Sequence, residues 1–498
     1  MSVRASPLKK ILFSYDACGP YIFCVSMCGH LAKKMAEEIF GPAWYPFIGS
    51  SGILRRMSKT YGSEWRAWLE LSRQYSTSVL GMKTSTELVI VVFGEKNVRQ
   101  VFNDKEFDAR PHNFFSQLRC LGNKNMGITF ANGEVWKQHR QFAVKNLKHV
   151  GYGKTVMERE IQNELSRILK YIEEYNRKPI NLVNLLSESV VNVLWKYVAG
   201  ERIEEDKLKR LLDLFRQRGK VFSVAGGMLN QIPWCRFFVP KLSGYSLIIK
   251  LNQDISEIIE EAIEKHKNNK VEGKDFIYTF LDEMNANKNP TFTEQQLKIV
   301  CLDFLIAGSQ TSSNVLGFAL LRAIKSQEIQ QKIFEEIDTV IGDRTPCWSD
   351  SERLIYTSAF LQEVQRYYPV VPMAGPRLLQ QDTSIDGYLI PKGSTVLMSL
   401  GDIYFDPELW DEPHEFKPER FIDESGMLKN SEHIYTFGLG RRRCPGDSLA
   451  KSFIFITFVG ILQKYRIYVS NGTVPSDVPL IGILATPKPY TAEFMLRK

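Results

Sequence analysis

Hydrophobic residues recur at helical spacing along most of this chain, with charged residues on the opposite faces. This periodicity predicts amphipathic α-helices. Helices are expected over residues 50–80, 155–175, 183–199, 205–220 and 243–268. Thr293, followed three residues later by Gln296, has the pattern of a capping box, and an apolar helix is expected from Leu297 to about Ala323. Two further helices are expected, one ending near Val340 and one over 352–368.

Short runs of β-branched and aromatic residues predict a small number of strands. The strands are expected over residues 86–93, 383–390, 395–399, 465–470 and 491–496, and the second of these runs turns at Asp386-Gly387. Strands do not alternate regularly with helices, and no internal repeat is found. The predicted fold class is therefore mainly α with small β-sheets.

Residues 1–40 differ from the rest of the chain. Their apolar stretch contains Asp16 and Pro20 and falls short of the run of about 18 apolar residues that a membrane span needs. An atypical leader and a marginal membrane anchor are the two alternatives for this segment, and a cleaved secretory signal is disfavoured because no convincing cleavage site follows. Gly41 and Pro42 mark the start of the folded body. Because no linker follows residue 50, residues 41–498 are predicted to form one domain.

The composition excludes several classes of protein. Hydrophobic residues make up 44% and charged residues 24% of the 498 residues, which is typical of a globular protein and not of a disordered or collagen-like chain. The eight cysteines include no Cys-x-x-Cys pair, so neither a disulfide scaffold nor a structural zinc site is expected. The net charge of +8 is spread along the chain and favours an acidic protein partner or an anionic membrane surface over nucleic acid.

Residues 221–240 are more apolar than an ordinary surface loop. The segment contains Trp234, Phe237 and Phe238 together with two prolines. A long exposed apolar loop is costly in water, so this segment either packs on the core or inserts into lipid. The sequence alone does not choose between these two arrangements.

A glycine-rich loop, residues 437–446, places Cys444 directly before a long apolar helix. The amino end of a helix and nearby arginines both stabilise negative charge, so they favour a thiolate. Glycines also let the backbone approach a flat ligand closely. These features predict a cysteine thiolate bound to a soft or borderline metal, with an arginine for an acidic group on the ligand. A buried structural cysteine in a turn is the plainer alternative.

The loop resembles the haem-binding loop of cytochrome P450. The pattern Phe-x-x-Gly-x-Arg-x-Cys-x-Gly is met at Phe437, Gly440, Arg442, Cys444 and Gly446. Other marks of the family occur in the expected order within residues 41–498, namely Trp136 with Arg140, Ala307-Gly308-x-x-Thr311, and Glu363-x-x-Arg366 with the later Arg420. The chain is most similar to animal microsomal members of the family, and among these to arthropod ones.

The resemblance implies a cytochrome P450 fold with haem b held between the long central helix and the cysteine loop. Cys444 would be the thiolate ligand of the iron. The residues that would bind the rest of the haem, including its propionates, are Trp136, Arg140, Arg377, Phe437, Gly440, Arg442 and Gly446. Glu363, Arg366 and Arg420 would form a structural triad.

The resemblance also implies that O2 is activated beside the central helix. Thr311 would bond the oxygen or a water and help deliver protons, and Gly308, next to Ala307, would leave the space where oxygen binds. Gln310 stands where the family often has Asp or Glu, and an amide orients water but cannot titrate. Protons would then arrive through Thr311 and water or through Asp303, which we expect to be an ordinary helix-surface charge. Another departure, Thr436 in place of the usual proline, is expected to have little effect.

By the same resemblance, a mostly apolar substrate pocket is expected above the haem. Its predicted lining residues are Phe114, Phe115, Phe304, Val371, Met373, Ala374 and Leu484. No basic residue is apparent in this wall, so the expected substrate is a neutral lipophilic molecule such as a terpenoid, a steroid or a xenobiotic.

The resemblance further implies a monooxygenase on the cytosolic face of the endoplasmic reticulum membrane. Electrons would come from NADPH through NADPH–cytochrome P450 reductase, with cytochrome b5 as a second candidate donor. Basic residues near the cysteine loop would form a docking face for the electron donor. The alternative is that they are scattered solvated charges. These residues are Lys137, Lys145, Lys148, Arg441, Arg443 and Lys451.

Two other functions stay open at this point. One is a haem-thiolate isomerase that needs no reductase, and the other is a haem-binding protein without enzymatic activity. Thr311 with Ala307-Gly308 argues against the isomerase, because such members of the family often lack this threonine.

Overall fold

The computed structural model describes most of the chain from residue 41 onward. The described residues are 41–44, 49–84, 87–175, 178–221, 228–229, 232–268, 275–286, 289–429, 432–472 and 474–497. The predicted leader or anchor, residues 1–40, lies outside the described residues. Parts of the apolar segment 221–240 lie outside them as well.

Helices make up most of the described chain. In the first half they are α1 (Ser51–Tyr61), α2 (Glu64–Tyr75), α3 (Glu95–Asn103), α4 (Phe114–Arg119), α5 (Gly133–His149), α6 (Thr155–Glu174), α7 (Val183–Ala199), α8 (Glu205–Val221), α9 (Cys235–Phe238) and α10 (Tyr245–Lys267). In the second half they are α11 (Phe276–Asn285), α12 (Glu294–Gly308), α13 (Thr311–Lys325), α14 (Gln327–Val340), α15 (Ile355–Tyr367), α16 (Leu400–Tyr404) and α17 (Asp447–Lys464). Short 3₁₀ turns cover Lys105–Phe107, Trp348–Glu352, Pro418–Phe421 and Ser470–Gly472.

The strands form small sheets. They are β1 (Val79–Thr84), β2 (Glu87–Val92), β3 (Met373–Leu378), β4 (Thr383–Ile385), β5 (Tyr388–Ile390), β6 (Thr395–Ser399), β7 (Tyr465–Val469), β8 (Leu480–Ile481), β9 (Ala485–Thr486) and β10 (Ala492–Leu496). A four-stranded sheet has the order β1-β2-β6-β3, and the remaining strands pair as β4-β5, β7-β10 and β8-β9. The predicted fold class, mainly α with small β-sheets, is confirmed.

Most predicted helices are confirmed, but the one expected over 50–80 is wrong in part. Gly62 has a φ of 77° and ends α1, and the side chain of Ser63 then accepts the N–H of Arg66 to begin α2. The following residues form strand β1, which pairs with β2. Glycine in the left-handed conformation and a serine cap together end one helix and start another.

The central helix is also interrupted. Thr293 caps α12 by accepting the N–H of Gln296 at 3.1 Å, but the Gln296 side chain does not complete a capping box. It accepts the N–H of Gly127 at 2.9 Å instead. The predicted single helix is divided at residues 309–310 into α12 and α13.

Two features of the core position the site. Helix α17 carries apolar residues around most of its circumference and is buried among α6, α13 and α14, so the loop that precedes it is attached to the core. Strand β3 pairs with β6 through an irregular register between Ala374 and Arg377. An irregularity of this kind redirects side chains beside a site.

One helical run in the described residues, Glu294–Lys325, is long and apolar enough to cross a membrane, but most of its apolar stretch is buried inside the protein.

Candidate active site

Two neighbouring cavities meet at the break between α12 and α13. The first has a volume of about 360 Å³ and includes Cys444 in its wall. The second has a volume of about 470 Å³ and extends toward α4 and the end of α8. Ala307, Thr311 and Val371 line both cavities. A group bound in the first cavity would therefore face a molecule bound in the second.

Backbone contacts hold the loop that carries Cys444. The Cys444 N–H donates to the carbonyl oxygen of Phe437 at 2.8 Å, and the Gly446 N–H donates to Cys444 Sγ at 3.3 Å. Gly440 has a φ of 66°, and a Cβ at this position would overlap the carbonyl oxygen of Phe102. Only glycine fits here, because both the conformation and the close approach exclude a side chain. The loop thus places the sulfur against the first cavity.

The protein groups around Cys444 do not by themselves favour a thiolate. Burial raises the pKa of the Cys444 thiol, and this outweighs the Gly446 N–H and the charges of Arg140 and Arg443, which lower it. The arginines thus act in the expected direction, and burial acts against them. A metal ion deprotonates a thiol that coordinates it. We therefore expect Cys444 to be a thiolate when it coordinates a metal ion.

Four arginines converge beside the first cavity: Arg110, Arg140, Arg377 and Arg442. Burial lowers the pKa of Arg377 to about 10, and burial followed by the charge of Arg377 lowers the pKa of Arg442 to about 9. Arg377 Nε and Nη1 and the Trp136 Nε1 are buried without a hydrogen-bond partner among the described residues. Uncompensated buried cations and donors fit a ligand with acidic groups. The two propionates of haem meet that requirement, so the residues present fit this cofactor.

The predicted haem-binding residues divide into two groups. Arg377, Phe437, Gly446 and Arg442 line the first cavity. Trp136 and Arg140, on α5, do not line it but contact the loop that does. The Arg442 guanidinium carbon is 3.8 Å from the centroid of the Trp136 ring, and Arg140 donates to the carbonyl oxygen of Arg443. Helix α5 therefore supports the loop from outside.

Arg110 was missed by the sequence analysis. It lines both cavities and donates to the carbonyl oxygen of Pro376 at 2.6 Å. Burial, and then the charges of Arg377 and Arg442, lower the pKa of Arg110. The residue lies in an irregular segment before α4, and no local pattern there indicates a ligand.

The residues at the helix break lie where the two cavities meet. Thr311 Oγ1 donates to the carbonyl oxygen of Ala307 at 3.1 Å, and a hydroxyl bonded in this way bends a helix. Gln310 lines the second cavity. A Cβ on Gly308 would lie 2.5 Å from Leu194 Cδ2, so a larger residue there would have to displace the Leu194 side chain.

Asp303 is not an ordinary surface charge, and that expectation is wrong. Its side chain is buried and accepts the N–H groups of Ile128 at 2.7 Å and Thr129 at 2.9 Å. It also forms an ion pair with the buried Arg119. Several donors compensate the buried carboxylate, which thereby fastens α12 to the loop before α5 and to α4.

The predicted substrate residues are distributed between the two cavities. Phe115, Val371, Met373 and Leu484 line the second cavity. Phe304 and Ala374 line the first one. Phe114 lines neither, and the Arg236 guanidinium carbon lies 4.7 Å from the centroid of its ring.

Basic residues do line the second cavity, contrary to the sequence analysis. Besides Arg110 they are Arg119, on α4, and Arg216 and Arg218, in the last turns of α8. Helical spacing places the charged residues of this helix on the face opposite its apolar residues. The last turns of α8 instead reach the cavity, which periodicity alone does not show.

The three residues of the predicted triad lie together. Arg366 Nε and Nη2 each donate to the Glu363 carboxylate at 2.7 Å, and Arg420 Nε donates to the same carboxylate at 3.2 Å. Arg366 Nη1 also reaches the carbonyl oxygens of Tyr404 and Pro413, each at 2.8 Å. This buried network joins α15 to the segment that precedes the cysteine loop.

Comparison with known proteins identifies the class. A family model for cytochrome P450 matches residues 41–494. Probable cytochrome P450 305a1 from Drosophila melanogaster is 38% identical over 473 residues, which cover 92% of this chain and 94% of the relative. Farnesoate epoxidase from Bombyx mori is 33% identical over 464 residues, covering 92% and 94% respectively. Cytochrome P450 2U1 from Mus musculus is 30% identical over 465 residues, covering 90% and 84%.

The chain therefore belongs to the cytochrome P450 family. Its enzymatic class is that of the haem-thiolate monooxygenases, which use haem iron and O2.

Proposed function

We propose that this protein inserts one oxygen atom of O2 into a lipophilic small molecule, with electrons that NADPH supplies through a flavin reductase. The observation that supports this most directly is the shared wall of the two cavities, which includes Ala307, Thr311 and Val371. Haem, when bound, supplies the activation of oxygen. The chain holds that group through Cys444 and the arginine cluster and binds the substrate in the second cavity.

The second cavity supports a lipophilic substrate of moderate size. A volume of about 470 Å³ is within the range of small-molecule sites, and Val371, Met373 and Leu484 provide apolar contact surface that excludes water. A terpenoid, a steroid and a xenobiotic all have this character. The name of the Bombyx mori relative, farnesoate epoxidase, supports a terpenoid chain among these candidates.

Protons are proposed to reach the site through Thr311 and water. The Thr311 hydroxyl lies in the wall common to both cavities, and Gln310 beside it can orient a water molecule but cannot titrate. Asp303 is already engaged by Arg119 and by two backbone N–H groups, so it is poorly suited to release or accept a proton.

The proposed function is tested by reconstitution of the haem-loaded protein with reductase, NADPH and ¹⁸O2, with terpenoid and steroid candidates screened by mass spectrometry. A product that carries one ¹⁸O atom and forms only when reductase is present is the expected result. Product formed without reductase would support the isomerase instead. Haem-loaded protein that turns over none of the candidates would favour a haem-binding protein without enzymatic activity.

Replacing Thr311 with valine is expected to lower the ratio of product formed to NADPH consumed by about tenfold or more, since a positioned proton-transfer group contributes at least that much. Valine keeps the shape of threonine but removes the hydroxyl. Thr311→Ser, which keeps the hydroxyl, is the matched control and is expected to retain most of the ratio. Equal ratios for the valine variant and the parent protein would contradict a role for the hydroxyl.

The segment 221–240, which was expected either to pack on the core or to insert into lipid, carries an exposed apolar surface in its described part. The surface consists of Trp234, Phe237, Phe238 and Leu242, which are between 61% and 76% exposed. Neighbouring Leu229 and Cys235 are buried, so the described part of the segment packs on the core on one side only. Contiguous exposed aromatic residues mark a surface that contacts lipid or another protein. We propose that this apolar surface contacts the endoplasmic reticulum membrane from its cytosolic face.

Replacing Trp234, Phe237, Phe238 and Leu242 together with serine is expected to weaken binding to neutral phospholipid vesicles by at least about tenfold, because each large apolar side chain contributes about 1.5–3 kcal/mol when fully buried. Vesicle co-sedimentation measures the effect. The matched control replaces Met427 and Leu496, which are exposed elsewhere, and is expected to bind as the parent protein does. Unchanged binding of the fourfold variant would place membrane contact elsewhere in the chain.

An electron donor is proposed to dock on the face around the cysteine loop. All the predicted basic residues of that face are exposed: Lys137, Lys145, Lys148, Arg441, Arg443 and Lys451. Helix α5 joins this face directly, because Arg140 bonds to the backbone of Arg443. An acidic surface on the reductase, or on cytochrome b5, would complement it.

We also propose that residues 41–498 form one domain, since helices and sheet strands contribute jointly to both cavities.

A further inference from the structure

Arg218 is a cation at the wall of the second cavity, and the described residues provide no counter-charge for it. It lies near the end of α8, and its Nε is buried with no hydrogen-bond acceptor among the described residues. No ion pair is found for it within the described part of the chain. Burial, and then the charge of Arg119, lower the pKa of Arg218 to about 9. A cation whose guanidinium nitrogen is buried without an acceptor is costly unless an anion approaches it.

Two other arginines around this cavity already have carboxylate partners. Arg119 is paired with Asp303, and the Arg216 Nη2 lies 3.2 Å from the Asp213 carboxylate. Between Asp213 and Asp254 the sequence contains no Asp or Glu, so no neighbouring stretch of chain brings a carboxylate to Arg218. Within the described residues, the positive charge of Arg218 on this side of the cavity therefore has no carboxylate partner.

We propose that Arg218 binds a carboxylate on the substrate, so that the preferred ligand of the second cavity is a lipophilic carboxylic acid. The two oxygens of a carboxylate match the planar fork of a guanidinium group, and the negative charge of the carboxylate balances the positive charge of Arg218. The apolar wall of Val371, Met373 and Leu484 then receives the hydrocarbon part of the molecule. This inference rests on the proposed function only in taking the second cavity as the substrate site.

The position of Arg218 also sets the direction of the substrate. Arg218 and Thr311 line the same cavity but belong to different elements, the end of α8 and the start of α13. A substrate held by its carboxylate at α8 therefore presents its hydrocarbon chain to the wall shared with the first cavity. Oxidation is expected on that chain and not next to the carboxyl group.

The test compares acids with their methyl esters, which share the chain and differ in charge. Farnesoate, dodecanoate and the two esters are titrated into the haem-loaded protein, and affinities are measured by calorimetry without reductase or NADPH. Each acid is expected to bind about tenfold or more tightly than its ester, since a hydrogen bond to a charged group contributes that much. In Arg218→Gln this preference is expected to disappear, while affinity for the esters stays within about threefold of the parent value, because apolar burial is unchanged.

Two control variants separate the site from general charge effects. Arg218→Lys keeps the charge without the fork and is expected to retain part of the preference. Arg210→Gln, at a residue of the same helix that is paired with Asp254 and lines neither cavity, is expected to retain all of it. Esters that bind as tightly as the acids, a preference that survives in Arg218→Gln, or acids that do not bind would each overturn the proposal. Because binding is measured without turnover, a failed monooxygenase assay would leave this result standing, and oxygenation of esters alone would refute it without affecting the proposed function.

Discussion

Replacing Cys444 with alanine is expected to abolish the long-wavelength Soret band of the reduced carbonyl complex and all reductase-dependent turnover. That band reports a thiolate bound to haem iron, and Cys444 is the cysteine in the wall of the first cavity. No histidine of the described residues lines either cavity, so no imidazole is placed to substitute for the lost sulfur. The difference spectrum of reduced protein with and without carbon monoxide is the measurement.

Cys347→Ala is the matched control for this experiment. Cys347 is a free, partly exposed cysteine that lines neither cavity, so its removal is expected to leave the band intact. A Cys444 variant that keeps the band, or a parent protein whose iron is held by imidazole, would contradict the assigned ligand. Protein that stays colourless when haemin is supplied would contradict the cofactor itself.

Local sequence signals predicted the parts of the structure that depend on neighbouring residues. The turn Asp386-Gly387 has φ values of 49° and 84°, the two positive values that a tight hairpin between β4 and β5 needs. The Thr293 cap formed because the hydroxyl has to reach only three residues along the chain. The cysteine loop was likewise visible because its glycines, arginine and cysteine occur within ten residues of sequence, 437–446.

Contacts between distant segments were not predictable in the same way. Asp303 has an ordinary helical spacing, and only the fold brings it to the backbone of Ile128 and to Arg119. Arg110 and Arg218 likewise acquire their roles because separate elements enclose them beside the cavities. Periodicity indicates which face of a helix is apolar, but it does not show that the last turn of α8 lies over a cavity. The positive charge beside the second cavity could therefore be recognised only from the structure.

Replacing Glu363 with glutamine is expected to destabilise the folded protein by about 3–5 kcal/mol, because removing one partner of a buried ion pair leaves the other charge uncompensated. The Glu363 and Arg366 side chains are fully buried, and Arg420 would lose the same counter-charge. Urea unfolding, followed by the midpoint and slope of the transition, measures the loss.

Glu419→Gln provides the comparison for the Glu363 variant, because Glu419 belongs to the same segment and also pairs with a cation, Lys332, at 3.0 Å. The Glu419 side chain is about half exposed, however, so a loss of no more than about 1 kcal/mol is expected. If the two variants were equally stable, the triad would contribute no more than a surface ion pair does. Glu363→Gln is also expected to lose haem at urea concentrations where the parent protein retains it, because Arg366 bonds directly to the backbone of Tyr404 and Pro413 in the segment that leads to the cysteine loop. This loss would show that the buried network also maintains that segment.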